Sequence, residues 1–382
     1  MIRMPLTPRR DWQAQVEAEG LVWHSSDGQP YWDESACYRF NAAQVAEIET
    51  ATAELYRLFL AVGEAIVAEP RRMDRLGIPR AFHQPIREAW EAEPPALNFG
   101  RFDLGYDGAS PPKLFEFNCD TPTSLLEAAV IQWSWKAACF PDADQFTSLH
   151  ERLVERWRDL GAHLPARVHF AHAADDAGED GVTTAYLRDT AAAAGIDTAA
   201  LPIDAIGWDE QRRRFVDEGG APIDALFKLY PWEWLANEAF ADVLAEDLAA
   251  GGTSWIEPVW KMLWSNKGVL AMLWELFPDH PNLLAAGFAI PEGDAVAKPL
   301  LSREGANVSI RRGGRIVAEA PGDYGDEGYV YQAIYPLPET APGCYPVIGS
   351  WVVDGVPAGM GIREGGLITG NGARFVPHVV LD

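Results

Sequence analysis

The residues best suited to chemistry lie between positions 101 and 128, RFDLGYDGASPPKLFEFNCDTPTSLLEA. In an extended strand alternate side chains share a face, so Arg101 and Asp103 point one way while Phe102 and Leu104 point the other. Gly105 to Pro112 supplies a turn, and on the returning strand Glu116 and Asn118 share a face with Phe115 and Phe117 opposite. A hairpin over 97–118 that buries its aromatic side gathers Arg101, Asp103, Glu116 and Asn118 into one patch. Two carboxylates and an amide oxygen are hard donors, suited to Mg²⁺ held jointly with phosphate. The same four side chains also suit a solvated strand face with an Arg–carboxylate pair, and the pattern leaves both open. A helix is expected from about Ser124, with Ser124 and Glu127 at capping-box spacing. Its N-terminus either receives an anion or is simply capped.

Two lysines stand in unusual places. Lys267 falls in the first turn expected for SNKGVLAMLWELF, where a cation opposes the helix dipole by about 0.3–1 kcal/mol unless an anion faces it. Lys298 sits in the apolar run AVAKPLL, either as a gatekeeper on an edge strand or as a phosphate ligand facing a cleft. Between two apparent strands, Leu301 to Val308 forms a small-residue loop whose amides near Gly305 could cover phosphates, with Arg303 adding charge. No GxxxxGK[ST] element occurs, which removes a P-loop, and GMGIREGG at 359–366 lacks the strand-then-helix setting of a dinucleotide site. Histidines show no metal-ligand spacing, and His169 and His172 read as structural. Cys119, in a loop before a helix start, is a conceivable nucleophile without a partner base. Glu233, between aromatics in LYPWEW, reads as a structural hydrogen-bond acceptor.

The elements that must position these groups form a mixed α+β and α/β chain. Residues 1–40 are aromatic, with Trp12, Trp23, Tyr31 and Trp32 set to pack on the body. A long helix begins at Asn41 with Gln44 as capping partner, carries Val45, Ile48, Thr52, Leu55, Phe59, Val62 and Ile66 on one stripe, and stops at Glu69-Pro70. Buried strands are expected near 167–171 and 224–230, with a helix near 182–194 between them, an acidic surface loop from Asp176 to Gly181, and a further helix over 236–249 ended by Gly251-Gly252. From about 295 short strands follow at 295–300, 307–310, 315–319, 329–334, 346–353, 357–362 and 366–369.

At 382 residues, 48% apolar and 23% charged, the chain has globular composition. Its 56 acidic against 31 basic residues give a formal charge of −25, a field that repels nucleic acid and anionic membranes and attracts cations. Four scattered cysteines without a CxxC pair, no secretory signal and no membrane-length apolar run point to a cytoplasmic protein.

Read together, RFDLGYDG, KLFEFNCDTPTSLLEA, FKLYPWEW, WIEPVWKMLWSNKGVLAMLWELFP, AKPLLSREGANVSI, YQAIYPLP, IGSWVVDGVPAGMGIRE and LIT resemble the glutathionylspermidine synthetase family of ATP-grasp ligases, from about residue 10 to the C-terminus. The resemblance implies a single ATP-grasp-like module: a helical part over about 1–96, an α/β part with metal and substrate residues over 97–260, and a β-rich nucleotide-binding lobe over 261–382. It implies Asp103, Glu116 and Asn118 as Mg²⁺ ligands, and Arg101 as the residue that holds the acceptor carboxylate while it is phosphorylated. Lys267 and Lys298 would contact ATP phosphates, and Arg303, Glu304 and Gly305 would belong to a loop closing over them. Gln332 would lie on the adenine side, Leu367, Ile368 and Thr369 on the far wall, and Arg363 would be a further phosphate or transition-state cation. Thr121 and Thr123 stand where the family places serines near its peptide substrate, and Glu233 lies in a substrate-side segment.

The implied reaction joins a carboxylate to an amine through an acyl phosphate, releasing ADP and phosphate; the resemblance makes a glutathione-like peptide the candidate acid and a polyamine the candidate amine. The partners are small molecules rather than nucleic acid or membrane, and the oligomeric state, monomer or homodimer, stays open. Too few residues precede Arg101 for the amidase domain of bifunctional members, so hydrolysis of glutathionylspermidine is not expected. The alternatives are a nucleotide-binding module that has lost ligation and acts through protein partners, and an amidase built on Cys119.

Overall fold

A computed structural model describes residues 1–26, 28–175, 178–370 and 372–381. The helix Ala42–Ala68 begins with Asn41 and Gln44 in a reciprocal capping box, as their spacing predicts. Its stripe Ile48, Thr52, Leu55, Phe59, Val62 and Ile66 is buried. Phe59 meets Phe117 at 4.9 Å between ring centroids, and Phe117 stacks on Phe102 at 3.8 Å. The helix thus covers the apolar face of the 97–118 hairpin and leaves its polar face free.

That hairpin consists of the antiparallel strands Phe99–Gly105 and Lys113–Asn118. It is one edge of a five-stranded antiparallel sheet whose other members are Tyr345–Val353, Val356–Gly365 and Arg374–Phe375. Strands separated by about 240 positions in sequence are therefore hydrogen-bonded neighbours, Asp103 opposite Gly349 and Arg101 opposite Trp351. A second five-stranded antiparallel sheet holds, in order, Ala286–Gly287, Tyr329–Gln332, Ala295–Pro299, Ser309–Arg312 and Arg315–Glu319. A cleft separates the two sheets.

The α/β layer is a four-stranded parallel sheet, Ser254–Ile256, Ala225–Leu229, Arg167–His172 and Asp197–Pro202, with the helix Glu179–Ala193 crossing between the last two in sequence. Parallel strands buried on both faces read as continuous apolar runs, which is why RVHFA and ALFKL were recognisable. Ile2–Pro5, Ala36–Phe40 and His378–Val380 form a three-stranded sheet that ties the two chain ends together. Among the described residues no helix is long and apolar enough to cross a membrane.

Several expectations fail locally. Residues 366–369 are not a strand but a bend that leaves the sheet after Gly365. Ser124 and Glu127 form no capping box. Ser124 has a positive φ of 64°, and Glu127 opens a π-helical stretch, Glu127–Ile131, that precedes the helix Gln132–Cys139. The Glu127 carboxylate turns away to accept hydrogen bonds from Tyr31 and Trp23. Lys267 precedes the helix Val269–Leu276 instead of opening it. The acidic loop expected over 176–181 is cut short by the helix that starts at Glu179, and residues 176 and 177 lie outside the described residues. The helix expected from 236 starts at Ala241, after a separate turn of helix at Trp232–Leu235, and ends on Gly251 in the left-handed region.

Candidate active site

The hairpin brings four predicted residues to one point. Asp103, only 3% exposed, accepts from Arg101 Nε at 2.7 Å and from Arg363 Nη2 at 2.6 Å. Its strand partner is Glu116, and Asn118 Nδ2 donates weakly to both carboxylates, at 3.3 and 3.4 Å. Lys267 Nζ sits 2.8 Å from Glu116 Oε2. The anion required by a cation just ahead of a helix is thus Glu116. Burial pushes the Glu116 carboxyl up, but Lys267 and Lys298 outweigh it and hold the group well below the ordinary carboxylate range.

Lys298 lies on a central strand of the facing sheet, so it is no edge gatekeeper. Its Nζ donates to the Phe115 carbonyl at 2.8 Å and to Gln332 Oε1 at 2.7 Å, while Gln332 Nε2 is anchored on the Leu114 carbonyl. Burial lowers the ammonium to about 8, with Glu116 opposing the fall. Lys298 and Gln332 thereby stitch the second sheet to the hairpin at the floor of the cleft.

The cleft has a volume of about 450 Å³. Asp103, Glu116 and Arg363 line one wall, Lys298 and Gln332 the floor, and Gly305 with Leu367, Ile368 and Thr369 the mouth. Gly305 has φ +73°, and a Cβ there would lie 2.8 Å from the Thr369 carbonyl, so only glycine lets the 302–307 loop close on this segment. Glu304 is exposed and is not among the lining residues.

Alternation misplaced one wall residue. The register slips between Asp103 and Leu104, so Asp103 opposes Glu116 while Leu104 opposes Leu114, and Phe115 becomes the extra residue of a bulge. Phe115 therefore lines the cleft beside Glu116 instead of facing the core. Tyr335 stands edge-on to it at 6.1 Å, and Val308, Ile310 and Val347 complete an apolar interior. Only the aromatic and proline-rich YQAIYPLP hinted at this wall.

A second cluster occupies the other side of the hairpin exit. Arg101 Nη1 donates to the Thr123 carbonyl at 2.6 Å. Arg303 donates to Thr121 Oγ1 and to Glu233 Oε1, each at 2.7 Å, with its guanidinium 5.6 Å from the Trp234 ring. Arg303 thus links Thr121 to Glu233, and Arg101 links the Thr123 carbonyl to Asp103 at the edge of the cleft. Glu179, given no role by the sequence, lies nearby: burial pushes its carboxyl up, and the Ser124 amide and the Thr123 hydroxyl pull it down.

Cys119 is fully buried, and burial pushes its thiol well above the ordinary range. A thiolate is disfavoured there, which removes the Cys119 nucleophile. His172 bonds the neighbouring Ala173 carbonyl and His169 is buried beside Asp217, in keeping with structural roles. Among the described residues no group of three His, Cys, Asp or Glu side chains could hold a metal. The hairpin set has two carboxylates and an amide. It fits a small hard cation if Asn118 turns its amide oxygen inward in place of the nitrogen that now bridges the carboxylates.

Residues 3–381 match the family model described as glutathionylspermidine synthase preATP-grasp. A Haemophilus influenzae protein assigned as an acid–amine ligase is 41% identical over 371 residues, spanning 93% of this chain and 92% of that protein. Trypanothione synthetase of Crithidia fasciculata is 29% identical over 84% of this chain, and the bifunctional glutathionylspermidine synthetase/amidase of Escherichia coli is 25% identical over 92%. The matches span only 53% and 59% of those two longer proteins. Among solved structures, a glutathione synthetase-like effector of Globodera pallida superposes with TM-score 0.58 over 97% of this chain and 96% of that one, at 10% identity, a likeness of fold alone. The chain belongs to the glutathionylspermidine synthase preATP-grasp family.

Proposed function

We propose that this chain is an ATP-grasp-like, ATP- and Mg²⁺-dependent ligase that joins a carboxylate to an amine through an acyl phosphate, with release of ADP and phosphate. One observation carries the reading: Asp103, Glu116 and Asn118 converge with Arg101, Arg363, Lys267 and Lys298 at one end of a cleft between two antiparallel sheets. Two carboxylates set against four cations leave that end positive within a strongly acidic protein. Such an excess suits a polyanion. Family membership supports use of ATP and formation of a C–N bond. The names of the longer relatives suggest a glutathione-like acid and a polyamine-like amine.

In this reading the apolar cleft interior takes the adenine and ribose, and Lys298 and Lys267 meet phosphate oxygens. Asp103, Glu116 and Asn118 would hold Mg²⁺, which when bound withdraws charge from the phosphoryl oxygens. Arg101 holds the acceptor carboxylate beside Asp103, and Arg363 faces the charge that develops during transfer. Closure of the 302–307 loop over Ile368 and Thr369 excludes water that would hydrolyse an acyl phosphate. Glu233 offers a carboxylate to a cationic substrate once Arg303 releases it.

The test is ADP formation measured across acid and amine pairs, beginning with glutathione and spermidine. One pair should stimulate magnesium-dependent turnover, and Asp103→Ala or Glu116→Ala should lower it by about a hundredfold or more while the circular dichroism spectrum persists. Tight ATP binding with no stimulating pair would instead favour a nucleotide-binding module.

A further inference from the structure

Thr121 and Glu233 come from segments over a hundred residues apart, yet the single guanidinium of Arg303 bonds both. Thr121 follows a strand in an irregular loop, and Glu233 lies in the one-turn helix Trp232–Leu235. Among the described residues no backbone–backbone hydrogen bond joins the two segments. The residue that joins them is Asp120, 1% exposed and immediately before Thr121. Its Oδ1 accepts from Lys228 Nζ at 2.6 Å, and its Oδ2 accepts from the backbone nitrogen of Trp232 at 2.8 Å.

Lys228 is fully buried on the strand Ala225–Leu229, also donates to the Tyr230 carbonyl at 2.8 Å, and lies 4.7 Å from the Trp232 ring centroid. Both oxygens of one carboxylate are therefore committed to residues on the approach to Glu233. A buried ion pair is a poor source of stability, because desolvation offsets much of the attraction, and apolar residues of similar volume often serve as well. What an apolar pair lacks is direction. Two short charge-assisted bonds from one carboxylate fix both separation and orientation.

We propose that Asp120, held by Lys228, is a positioning residue for the acceptor side: it clamps the hairpin exit to the 230–233 turn at the spacing that lets Arg303 bridge Thr121 and Glu233 and so seats the 302–307 loop. Its purpose rests on the ligase reading; the clamp itself does not.

The experiment is hydrogen–deuterium exchange followed by mass spectrometry on the whole chain, beside calorimetric titration with MgATP. The main variant is Asp120→Ala/Lys228→Met, which leaves no unpaired charge. The control is Arg9→Met/Glu34→Gln, a buried pair 2.6 Å apart near the N-terminus, where the carboxylate meets Arg9 and the Trp32 ring nitrogen. The clamp predicts at least tenfold faster exchange across 119–124, 230–237 and 302–308 in the main variant only. Exchange in the strands 167–172 and 197–202 should stay within twofold of wild type. Asp120→Asn, which keeps one acceptor for the Trp232 amide, should give a smaller rise in the same segments and keeps the test available if the double variant does not fold. Exchange across 302–308 unchanged from the control, or raised equally in all strands, overturns the proposal. Absence of MgATP binding in the wild type would sink the ligase reading while the exchange comparison still decides the clamp.

Discussion

Asp103 shows how far side-chain alternation reaches and where it stops. Two-residue periodicity places Arg101, Asp103, Glu116 and Asn118 on one face, and the cross-strand pairs Arg101–Asn118 and Asp103–Glu116 realise it. Phe115 escapes the rule because a bulge depends on which residues face each other across the strands, a fact that a single strand does not carry. Gly349, opposite Asp103, was equally silent. A Cβ there would sit 2.6 Å from Arg101 Cδ, so the glycine makes room for the arginine. Gly349→Ala should push the guanidinium off Asp103 and lower acid-stimulated turnover by about ten- to a hundredfold, while calorimetry finds MgATP affinity within about threefold of wild type. Lys298 yields a pH prediction. The free protein holds it near 8, and triphosphate favours its charged form, so metal-free ATP must carry a proton in above that pH. Affinity should fall by up to about tenfold per unit as pH rises through 8 and 9, and calorimetry on Lys298→Met should show no such slope.

At the scale of elements, the long helix, the hairpin and the parallel strands were legible because each carries a strong period or an apolar run. The start of the helix after Thr123 was not. Ser124 and Glu127 have capping spacing, but tertiary partners win: Tyr31 and Trp23 take the Glu127 carboxylate. Burial, then the nearby Glu179 charge, raises the Glu127 carboxyl to about 7 from an ordinary 4.5. A raised folded-state value contributes stability that is fully present below the unfolded value and is lost as pH rises through the folded one. Glu127→Gln should therefore raise the melting temperature relative to wild type more at pH 8 than at pH 4, and calorimetric scans at both pH values check it. An equal shift at both would mean that Glu127 is already ionised in the fold.

At the scale of the whole molecule, local signals run out. The sheet that carries the site is closed by Tyr345–Val353 pairing with Phe99–Gly105, and such long-range pairing leaves little mark on either segment. Only the order of many motifs along the chain, read as a family resemblance, pointed to the β-rich C-terminal region and the hairpin sharing one cleft. A formal charge of −25 likewise hides a positive pocket end, because composition averages over surfaces that the fold separates. The proposed ligase chemistry requires that pocket end to hold a metal–triphosphate pair. The most direct measurement is calorimetric titration of ATP with and without Mg²⁺ into wild type and Asp103→Asn/Glu116→Gln. Mg²⁺ should strengthen ATP binding at least about tenfold in the wild type and leave the variant nearly unchanged. An equal gain from Mg²⁺ in both proteins would contradict the account.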